Sequence, residues 1–251
     1  DNYGIQVLKD CQKLNAENLY SFSVKSDSDY KAYDELMGSR DIKFKVVLDE
    51  EEEFILGIPG EYNIYNALGA IGVCHKMGIA IEAIKEGIEN ALVPGRCERV
   101  GKEYNLPYEI IIDYAHTPDG LENILKTAKA FTKGKLIAIF GCGGDRDKVK
   151  RPQMGKIGID IADLAVITSD NPRSEDPMAI IEDIKSGLDK DNYIIIENRH
   201  DAIKKAIELA EKDDVIVIAG KGHETYQILK DKTIHFDERE VVKEILDNIK
   251  R

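Results

Sequence analysis

The sequence predicts an α/β fold with a doubly wound, mostly parallel sheet in its second half. Short runs rich in Ile, Val and Leu recur there and are apolar on both faces, as in strands buried between helices. Amphipathic helical patterns separate these runs, and such alternation is typical of βαβ units. The predicted strands are Glu109–Asp113, Leu136–Phe140, Leu164–Thr168, Tyr193–Ile196 and Asp214–Ala219, and the predicted helices are Pro118–Phe131, Pro152–Ile161, Pro177–Leu188 and Asp201–Ala210.

The first half of the chain follows a different pattern. Residues 41–56 predict a pair of short strands around an acidic run, and two helices are predicted at Asn63–Met77 and Ile81–Ala91. Because Pro94-Gly95 interrupts the chain after them, we place a domain boundary there, which gives predicted domains 1–94 and 95–251. The first of these has too few strands for a sheet of its own, so we expect it to be part of a larger domain.

Composition excludes several classes of function. The chain has 251 residues, of which 43% are hydrophobic, so a sizeable core is expected. The net charge of −12, with one short basic stretch at Lys148, Lys150 and Arg151, disfavours nucleic-acid binding. No apolar run reaches the roughly 20 residues of a membrane span and no secretory signal is present, so a cytoplasmic protein without a membrane partner is expected. The four cysteines show no metal-ligand spacing, and no metal ligands are predicted.

Glycines and polar residues cluster directly after four of the predicted strands. In open α/β sheets, ligands bind outside the carboxyl ends of the strands, so these segments should share one site. A plainer interpretation exists for each segment alone, such as a helix cap, a β-turn or a solvated loop. Their convergence is the strongest sign of a functional site. The four segments are 113–119, 141–147, 169–173 and 220–224.

The side chains in these segments suit an amino-acid ligand. Arg146 and Arg173 can each hold a carboxylate through two parallel hydrogen bonds, and Glu224 can hold an ammonium group. The glycine-rich turn at 141–144 does not match the dinucleotide-binding fingerprint, which disfavours a dehydrogenase. No P-loop, zinc-binding or Ser–His–Asp pattern is found in the sequence.

These segments resemble successive motifs of the Mur ligase family, in particular its MurE type. The motifs are Asp-Tyr-Ala-His-Thr-Pro-Asp at 113–119, Gly-Cys-Gly-Gly-Asp-Arg-Asp at 141–147 with Lys-Arg-Pro at 150–152, Asp-Asn-Pro-Arg at 170–173 and Gly-Lys-Gly-His-Glu at 220–224. Upstream, residues 60–67 and 94–96 resemble motifs shared by Mur ligases and folylpolyglutamate synthetases. The resemblance covers essentially the whole chain.

The resemblance implies an ATP-dependent ligation in peptidoglycan precursor synthesis. ATP, with Mg²⁺, would phosphorylate the carboxylate of UDP-N-acetylmuramoyl-L-alanyl-D-glutamate. The amine of meso-diaminopimelate would then attack the acyl phosphate and give an amide, ADP and phosphate. Because phosphoryl transfer depends mainly on positioning and charge neutralisation, cationic groups should do most of this work.

The resemblance also implies roles for individual residues. Asn66, Arg96, Asp113 and His116 would contact the nucleotide, with Arg96 and His116 in catalytic positions. The Asp-Asn-Pro-Arg motif is the form associated with meso-diaminopimelate. Arg173 would pair with the additional carboxylate of this amino acid. The residues implied to bind the amino acid are Arg146, Asp170, Asn171, Pro172, Arg173, Gly220 and Glu224.

The sequence departs from the family in what it lacks. Mur ligases have an amino-terminal UDP-sugar domain, a P-loop and a modified lysine that helps to hold Mg²⁺, and none of these is present. We therefore expect an inactive fragment that starts within the central ATPase domain, with residues 1–4 in a strand-end segment. The alternatives are a non-catalytic diaminopimelate-binding module, a lysine-adding Mur ligase and a ligase like folylpolyglutamate synthetase.

Overall fold

The computed structural model describes residues 2–13, 19–38 and 40–249. The chain divides into two compact units, Asp1–Ala91 and Leu92–Arg251. Within the described ranges, no helix is both long enough and apolar enough to cross a membrane.

The described residues of the first unit form a four-stranded sheet and three helices. Its strands lie in the order β1-β2-β3-β4, with β1 parallel to β2 and the other pairs antiparallel. The strand pair and the two helices predicted between residues 41 and 91 are confirmed. The predicted strand-end segment is wrong, because residues 2–4 belong to a helix. The elements are α1 (Asn2–Lys13), β1 (Phe22–Ser23), β2 (Tyr30–Met37), β3 (Ile42–Val47), β4 (Glu51–Leu56), α2 (Glu61–Lys76) and α3 (Ile81–Glu89).

Alternating burial defines the inner face of this sheet. Ile42, Phe44 and Val46 are buried along β3, whereas the lysines between them are not. Phe44 stacks on Phe54 of β4 with ring centroids 5.9 Å apart. Since side chains alternate across a strand, this pattern leaves one face for the helices. Helix α2 contacts β1 and β2, and α3 contacts β4.

The second unit is built on a six-stranded sheet in the order β5-β6-β10-β7-β8-β9. Neighbouring strands are parallel except for β5, which runs antiparallel to β6 at the edge. The predicted α/β fold class with a mostly parallel sheet is therefore confirmed. The strands are β5 (Glu98–Val100), β6 (Glu109–Asp113), β7 (Leu136–Phe140), β8 (Leu164–Ile167), β9 (Tyr193–Ile195) and β10 (Val215–Ala219).

Helices cover both faces of this sheet. On one face, α7 and α8 bury Ile203, Ile207 and Val242 against alternate strand residues such as Ile137 and Ile216. Helices α4 and α5 contact β7, β8 and β10 as well. Every residue of β7 and β10 is consequently buried, as expected for strands between two helical layers. The helices are α4 (Pro118–Phe131), α5 (Lys150–Ile161), α6 (Pro177–Lys185), α7 (Arg199–Leu209) and α8 (Glu238–Ile249).

Local chemistry sets where the helices begin. Oγ1 of Thr117 accepts a hydrogen bond from the Gly120 amide, and Pro118 occupies the first turn of α4, as predicted. Asn198 caps α7 in the same manner and starts it two residues before the predicted position. The sequence did not predict β5, helix α8 or the antiparallel pair β11 (Tyr226–Ile228) and β12 (Thr233–His235).

Candidate functional site

The four polar segments lie at one edge of the six-stranded sheet. The parallel register pairs Ala219 with Asp113 and Phe140 with Ile167, so β6, β10, β7 and β8 end side by side. The segments that follow these strands are joined by hydrogen bonds, as the convergence of their sequences predicted. One of these bonds runs from Nδ2 of Asn171 to Oε2 of Glu224 over 2.9 Å.

Lys221 lies at the centre of this cluster. Its side chain is fully buried, and Nζ donates to Oδ1 of Asn171 (3.0 Å), Oε2 of Glu224 (3.3 Å) and the carbonyl oxygen of Tyr226 (2.7 Å). The alternative of a solvated loop at 220–224 is therefore wrong. Sequence reasoning passed over Lys221, although a lysine between two glycines at the end of a buried strand was a usable signal.

Two carboxylates of the cluster each have one oxygen that accepts no hydrogen bond from the described residues. Asp170 is 5% exposed, and its Oδ1 has no hydrogen-bond donor there, although Nζ of Lys221 lies 3.6 Å away. Glu224 receives both of its hydrogen bonds at Oε2, which leaves Oε1. Gly220 adopts φ +128°, and a Cβ there would lie 2.9 Å from Oδ2 of Asp170. The site thus requires glycine at this position.

The glycine-rich turn after β7 is tied to the Asp170–Arg173 turn. The Gly144 amide donates to the carbonyl oxygen of Asn171 (2.9 Å), and Nη1 of Arg173 donates to the carbonyl oxygen of Gly144 (2.9 Å). The next amide, that of Asp145, donates to Oε1 of Glu175. A Cβ on Gly144 would collide with the carbonyl oxygen of Pro172. The glycine here allows two loops to touch, and both amides are used within the protein.

Arg173 and Arg146 occupy different surroundings. Arg173 is half-buried with φ +52°, and within its guanidinium only Nη1 makes hydrogen bonds to described residues. Its Nη2 and Nε therefore remain for a ligand. Arg146 is exposed and donates to the carbonyl oxygen of Asp145 over 3.1 Å. Both guanidinium groups can reach an anion at this edge.

A buried ion pair supports the loops from below. The Arg151 side chain is 0% exposed and binds Glu175 through two parallel bonds of 2.9 and 2.8 Å, with a further bond of 2.8 Å to Asp183. The sequence groups Arg151 with Lys148 and Lys150 in one short basic stretch, but the structure buries the Arg151 side chain. Its guanidinium, aided by the Asp145 amide, lowers the pKa of Glu175 to about 2.

This arrangement predicts a loss of stability in acid. A carboxylate with a lowered folded-state pKa contributes stability above its ordinary pKa and loses it as pH falls through the folded value. For Glu175 that window runs from about 4.5 down to about 2. We expect Glu175→Gln to have a lower free energy of unfolding than wild type at pH 7, as measured by urea denaturation. The difference between the two free energies should become smaller below pH 4.5. A difference in unfolding free energy that does not change with pH would contradict the stabilisation of the Glu175 carboxylate by Arg151.

Asp113, at the end of β6, has an internal role. It is 3% exposed, and its two carboxylate oxygens accept hydrogen bonds of 2.8 Å from the amides of Cys97 and Ala115. Burial raises the pKa of Asp113, although these two bonds act in the opposite direction. Asp113 therefore fixes the backbone on both sides of the strand end. A contact between Asp113 and a nucleotide would have to use a second lone pair on a carboxylate oxygen that already accepts a hydrogen bond.

A cationic and aromatic cluster surrounds Tyr114. The guanidinium of Arg96 lies 5.2 Å from the Tyr114 ring centroid, and the rings of His116 and His223 lie 4.6 and 5.1 Å away. Nδ1 of His116 lies 2.8 Å from the carbonyl oxygen of Tyr114, which places the proton on Nδ1 and leaves Nε2 as an acceptor. Arg96 and His116 are both exposed. Sequence reasoning did not single out Tyr114 or His223.

Asn66 belongs to helix α2 of the first unit. It is exposed on α2 and donates to Oδ1 of Asn63 over 3.2 Å. The other predicted residues fall into two groups in the second unit. Arg96, Asp113 and His116 lie around Tyr114, and the remaining residues lie in the segments 141–147, 169–173 and 220–224, with Asp170, Asn171 and Glu224 in contact with Lys221. Among the described residues, no group of three or more His, Cys, Asp or Glu could hold a metal ion.

Comparison with known proteins identifies the family. Residues 95–222 match the family model described as "Mur ligase, glutamate ligase domain". The chain belongs to the Mur ligase family. Among its members, the UDP-N-acetylmuramoyl-L-alanyl-D-glutamate–2,6-diaminopimelate ligases of Clostridium perfringens and Clostridium botulinum are 60% and 57% identical over 98% and 99% of this chain. The matched region makes up 51% of each relative, so the chain spans about half the length of these Mur ligases.

Solved structures agree with this family assignment. A structure of a UDP-N-acetylmuramoyl-L-alanyl-D-glutamate–2,6-diaminopimelate ligase matches 97% of this Mur ligase chain and 51% of its own, with 33% identity and a TM-score of 0.64. A folylpolyglutamate synthase of Mycobacterium tuberculosis, solved with ADP and AMPPCP, matches 86% of this chain and 50% of its own, with a TM-score of 0.69. At 22% identity, the second likeness shows a shared fold.

Proposed function

We propose that this chain contributes the amino-acid-binding part of a ligase that adds meso-diaminopimelate to UDP-N-acetylmuramoyl-L-alanyl-D-glutamate. The relatives that carry this activity in their names support the proposal. The observation that carries it is the hydrogen-bonded joining of the Asp170–Arg173 and Gly220–Glu224 loops at the strand ends. In this proposal, residues 95–251 form the carboxyl-terminal amino-acid-binding domain, and residues 1–94 form part of the central ATPase domain of a cytoplasmic enzyme.

The unengaged polar atoms of the site suit an amino-acid zwitterion. Oε1 of Glu224 can accept a hydrogen bond from an ammonium group, and the carboxylate of Asp170 adds a second negative charge near Lys221. Nη2 and Nε of Arg173 form a planar pair of donors that matches a carboxylate, and the exposed Arg146 adds a second cation. Asn171, Pro172 and Gly220 shape the site through their backbone and amide contacts.

The charge balance of the site favours diaminopimelate over lysine. Lys221 is paired with the carboxylates of Asp170 and Glu224, which leaves Arg173 as a half-buried cation without an ion pair among the described residues. Lysine brings a net positive charge at pH 7, whereas the second carboxylate of diaminopimelate leaves that molecule neutral. Because a buried or half-buried cation without a partner is costly, lysine would leave Arg173 poorly satisfied.

The cluster around Tyr114 suits a nucleotide, the second substrate of the proposed reaction. Mur ligases depend on ATP, and ATP with Mg²⁺ supplies the phosphoryl group that activates the substrate carboxylate. The exposed guanidinium of Arg96 suits phosphate oxygens, and Nε2 of His116 can accept a hydrogen bond. Both are therefore proposed catalytic residues. We propose Asn66 for the nucleotide as well, and Asp113 as the group that holds this segment in place.

Calorimetric titration of the 251-residue chain with meso-diaminopimelate, L-lysine and L-glutamate tests the proposal. We expect diaminopimelate to bind at least about tenfold more tightly than lysine, because one charge-assisted contact is lost with lysine. Equal binding of the two, or no binding by a folded chain, would contradict it. Preferential binding of glutamate would instead favour a ligase like folylpolyglutamate synthetase.

A turnover assay separates recognition from catalysis. We expect no phosphate release when the chain is incubated with ATP, Mg²⁺, the UDP-linked dipeptide and diaminopimelate, because the sequence has no P-loop pattern to hold the β- and γ-phosphates. Sustained phosphate release, with formation of the amide product, would contradict this expectation and show that the chain alone is a ligase.

A further inference from the structure

Lys221 connects the two loops that carry the proposed amino-acid-binding groups. Its side chain is completely buried, although lysine is almost never fully buried unless it is paired. Its Nζ lies 3.0 Å from Oδ1 of Asn171 and 3.6 Å from Oδ1 of Asp170 in one loop. In the other loop it lies 3.3 Å from Oε2 of Glu224, and beyond it 2.7 Å from the carbonyl oxygen of Tyr226. One cation therefore contacts both loops at once.

The geometry excludes a direct contact between Lys221 and a substrate. An ammonium group has three N–H donors. The hydrogen bonds to Asn171, Glu224 and Tyr226 use all three, so no donor remains for a substrate carboxylate. With its side chain fully buried, Nζ is also out of reach of a reacting amine. Its effect on a ligand must pass through the residues that it holds.

Asn171 extends this network into the neighbouring strand. Its Oδ1 accepts a hydrogen bond from the Ile228 amide (2.9 Å) as well as from Lys221, and the Arg173 amide donates to the carbonyl oxygen of Ile228 (3.1 Å). Nε2 of Gln227 donates to the carbonyl oxygen of Asp170 over 2.6 Å. Lys221 lies 3.6 Å from Asp170 and 3.3 Å from Glu224, so without it these two carboxylates would lose the cation that they share, and the hydrogen bonds between the loops would be weakened.

We propose that Lys221 is a positioning residue that fixes Asp170, Asn171 and Glu224 relative to one another before the amino acid binds. The cation offsets the repulsion between the two carboxylates and holds Glu224 through Oε2 alone, which leaves Oε1 for a ligand. Less side-chain conformational entropy is then lost on binding, because the groups that contact the amino acid are already in place. The inference rests on the proposed function only in the identity of the ligand.

Lys221→Met tests this role, since methionine keeps much of the side-chain length and removes the charge. The matched control is Lys212→Met, at an exposed lysine outside the site. Two quantities are measured, the affinity for meso-diaminopimelate by calorimetry and the amide hydrogen exchange of Arg173, Ile228 and the residues of β7. We expect Lys221→Met to weaken binding about tenfold and to speed exchange at Arg173 and Ile228 about tenfold, with β7 unchanged. The control should match wild type in both.

The outcomes separate this inference from the proposed function. If the wild-type chain binds no diaminopimelate but exchange in the two loops still increases in Lys221→Met, the proposed function fails and the positioning role stands. Unchanged exchange in the loops, or an equal increase throughout β7, would overturn the positioning role. The positioning role would also be overturned if Lys221→Met showed faster amide exchange at Arg173 and Ile228 but bound diaminopimelate as tightly as a wild-type chain that binds it.

A second variant keeps the inference testable if Lys221→Met does not fold. Lys221→Arg retains the charge, so the chain should fold, but a planar guanidinium cannot place its donors where the ammonium does. We expect its affinity for diaminopimelate to fall at least about fivefold below wild type. Wild-type affinity in Lys221→Arg would overturn the proposal.

Discussion

Replacing Arg199 by methionine is expected to destabilise the second unit by about 3–5 kcal/mol, because it leaves a fully buried carboxylate without its cation. The side chains of Arg199 and Glu238 are both 0% exposed and are joined at 2.7 Å. Nη2 of Arg199 also donates to the carbonyl oxygen of Ala219, at the end of β10, over 2.8 Å. The free energy of unfolding is measured by urea denaturation followed by circular dichroism, which suits a chain without tryptophan.

The double variant Arg199→Met/Glu238→Leu is the control for this prediction. Replacing both members of a buried ion pair by apolar residues is often nearly neutral, so most of the lost stability should return. Burial raises the pKa of Glu238, and the defect of the single variant should therefore shrink as pH falls, since the neutral acid is cheaper to bury. A single variant as stable as wild type, or a double variant no better than the single one, would contradict this account.

Arg173→Ala is expected to weaken the binding of meso-diaminopimelate by about 2–3 kcal/mol and that of lysine by much less, since only the former offers a second carboxylate. The backbone of Arg173 has φ +52°, and alanine experiences the same strain, so the change reports on the side chain. Glycine would relieve that strain and is a poorer test. The ratio of the two dissociation constants, from parallel titrations, is the measured quantity.

Two further variants control for charge and for loop structure. Arg173→Lys keeps the charge but loses the planar pair of donors, so its affinity should be intermediate. Arg40→Ala, at an exposed arginine of the first unit, should leave both affinities unchanged. Equal losses for diaminopimelate and lysine in Arg173→Ala would mean that Arg173 shapes the loop through Gly144 and does not read the second carboxylate.

Much of the second unit could be predicted from one sequence because its periodicity is strong. Strands β6 and β7 and helix α4 have the predicted bounds, since runs of buried Ile and Leu and the Thr117-Pro118 cap are local signals. Strands β5, β11 and β12 were not predicted. Each has three residues, which is too short for an alternating pattern to be recognised.

The polar residues of the site were predicted in part, for a physical reason. Glycines, arginines and amides after a parallel strand point to a ligand, because the carboxyl edge of the sheet is where such loops meet. The buried cations Arg151, Lys221 and Arg199 were not predicted as such. Arg151 and Arg199 pair with carboxylates 24 and 39 residues away, and only the fold brings such partners together. Sequence alone shows Arg151 only as one member of a short basic stretch with Lys148 and Lys150.

The central claim is that the strand-end loops of the second unit recognise diaminopimelate. Amide chemical-shift mapping with ¹⁵N-labelled chain and increasing meso-diaminopimelate tests it most directly. We expect saturable shifts of the amides at 143–146, 170–174 and 220–228, and smaller shifts with lysine at the same concentration. Shifts confined to another surface, such as the groove lined by Arg99, Tyr104 and Lys243, or no shifts in a folded chain, would contradict it.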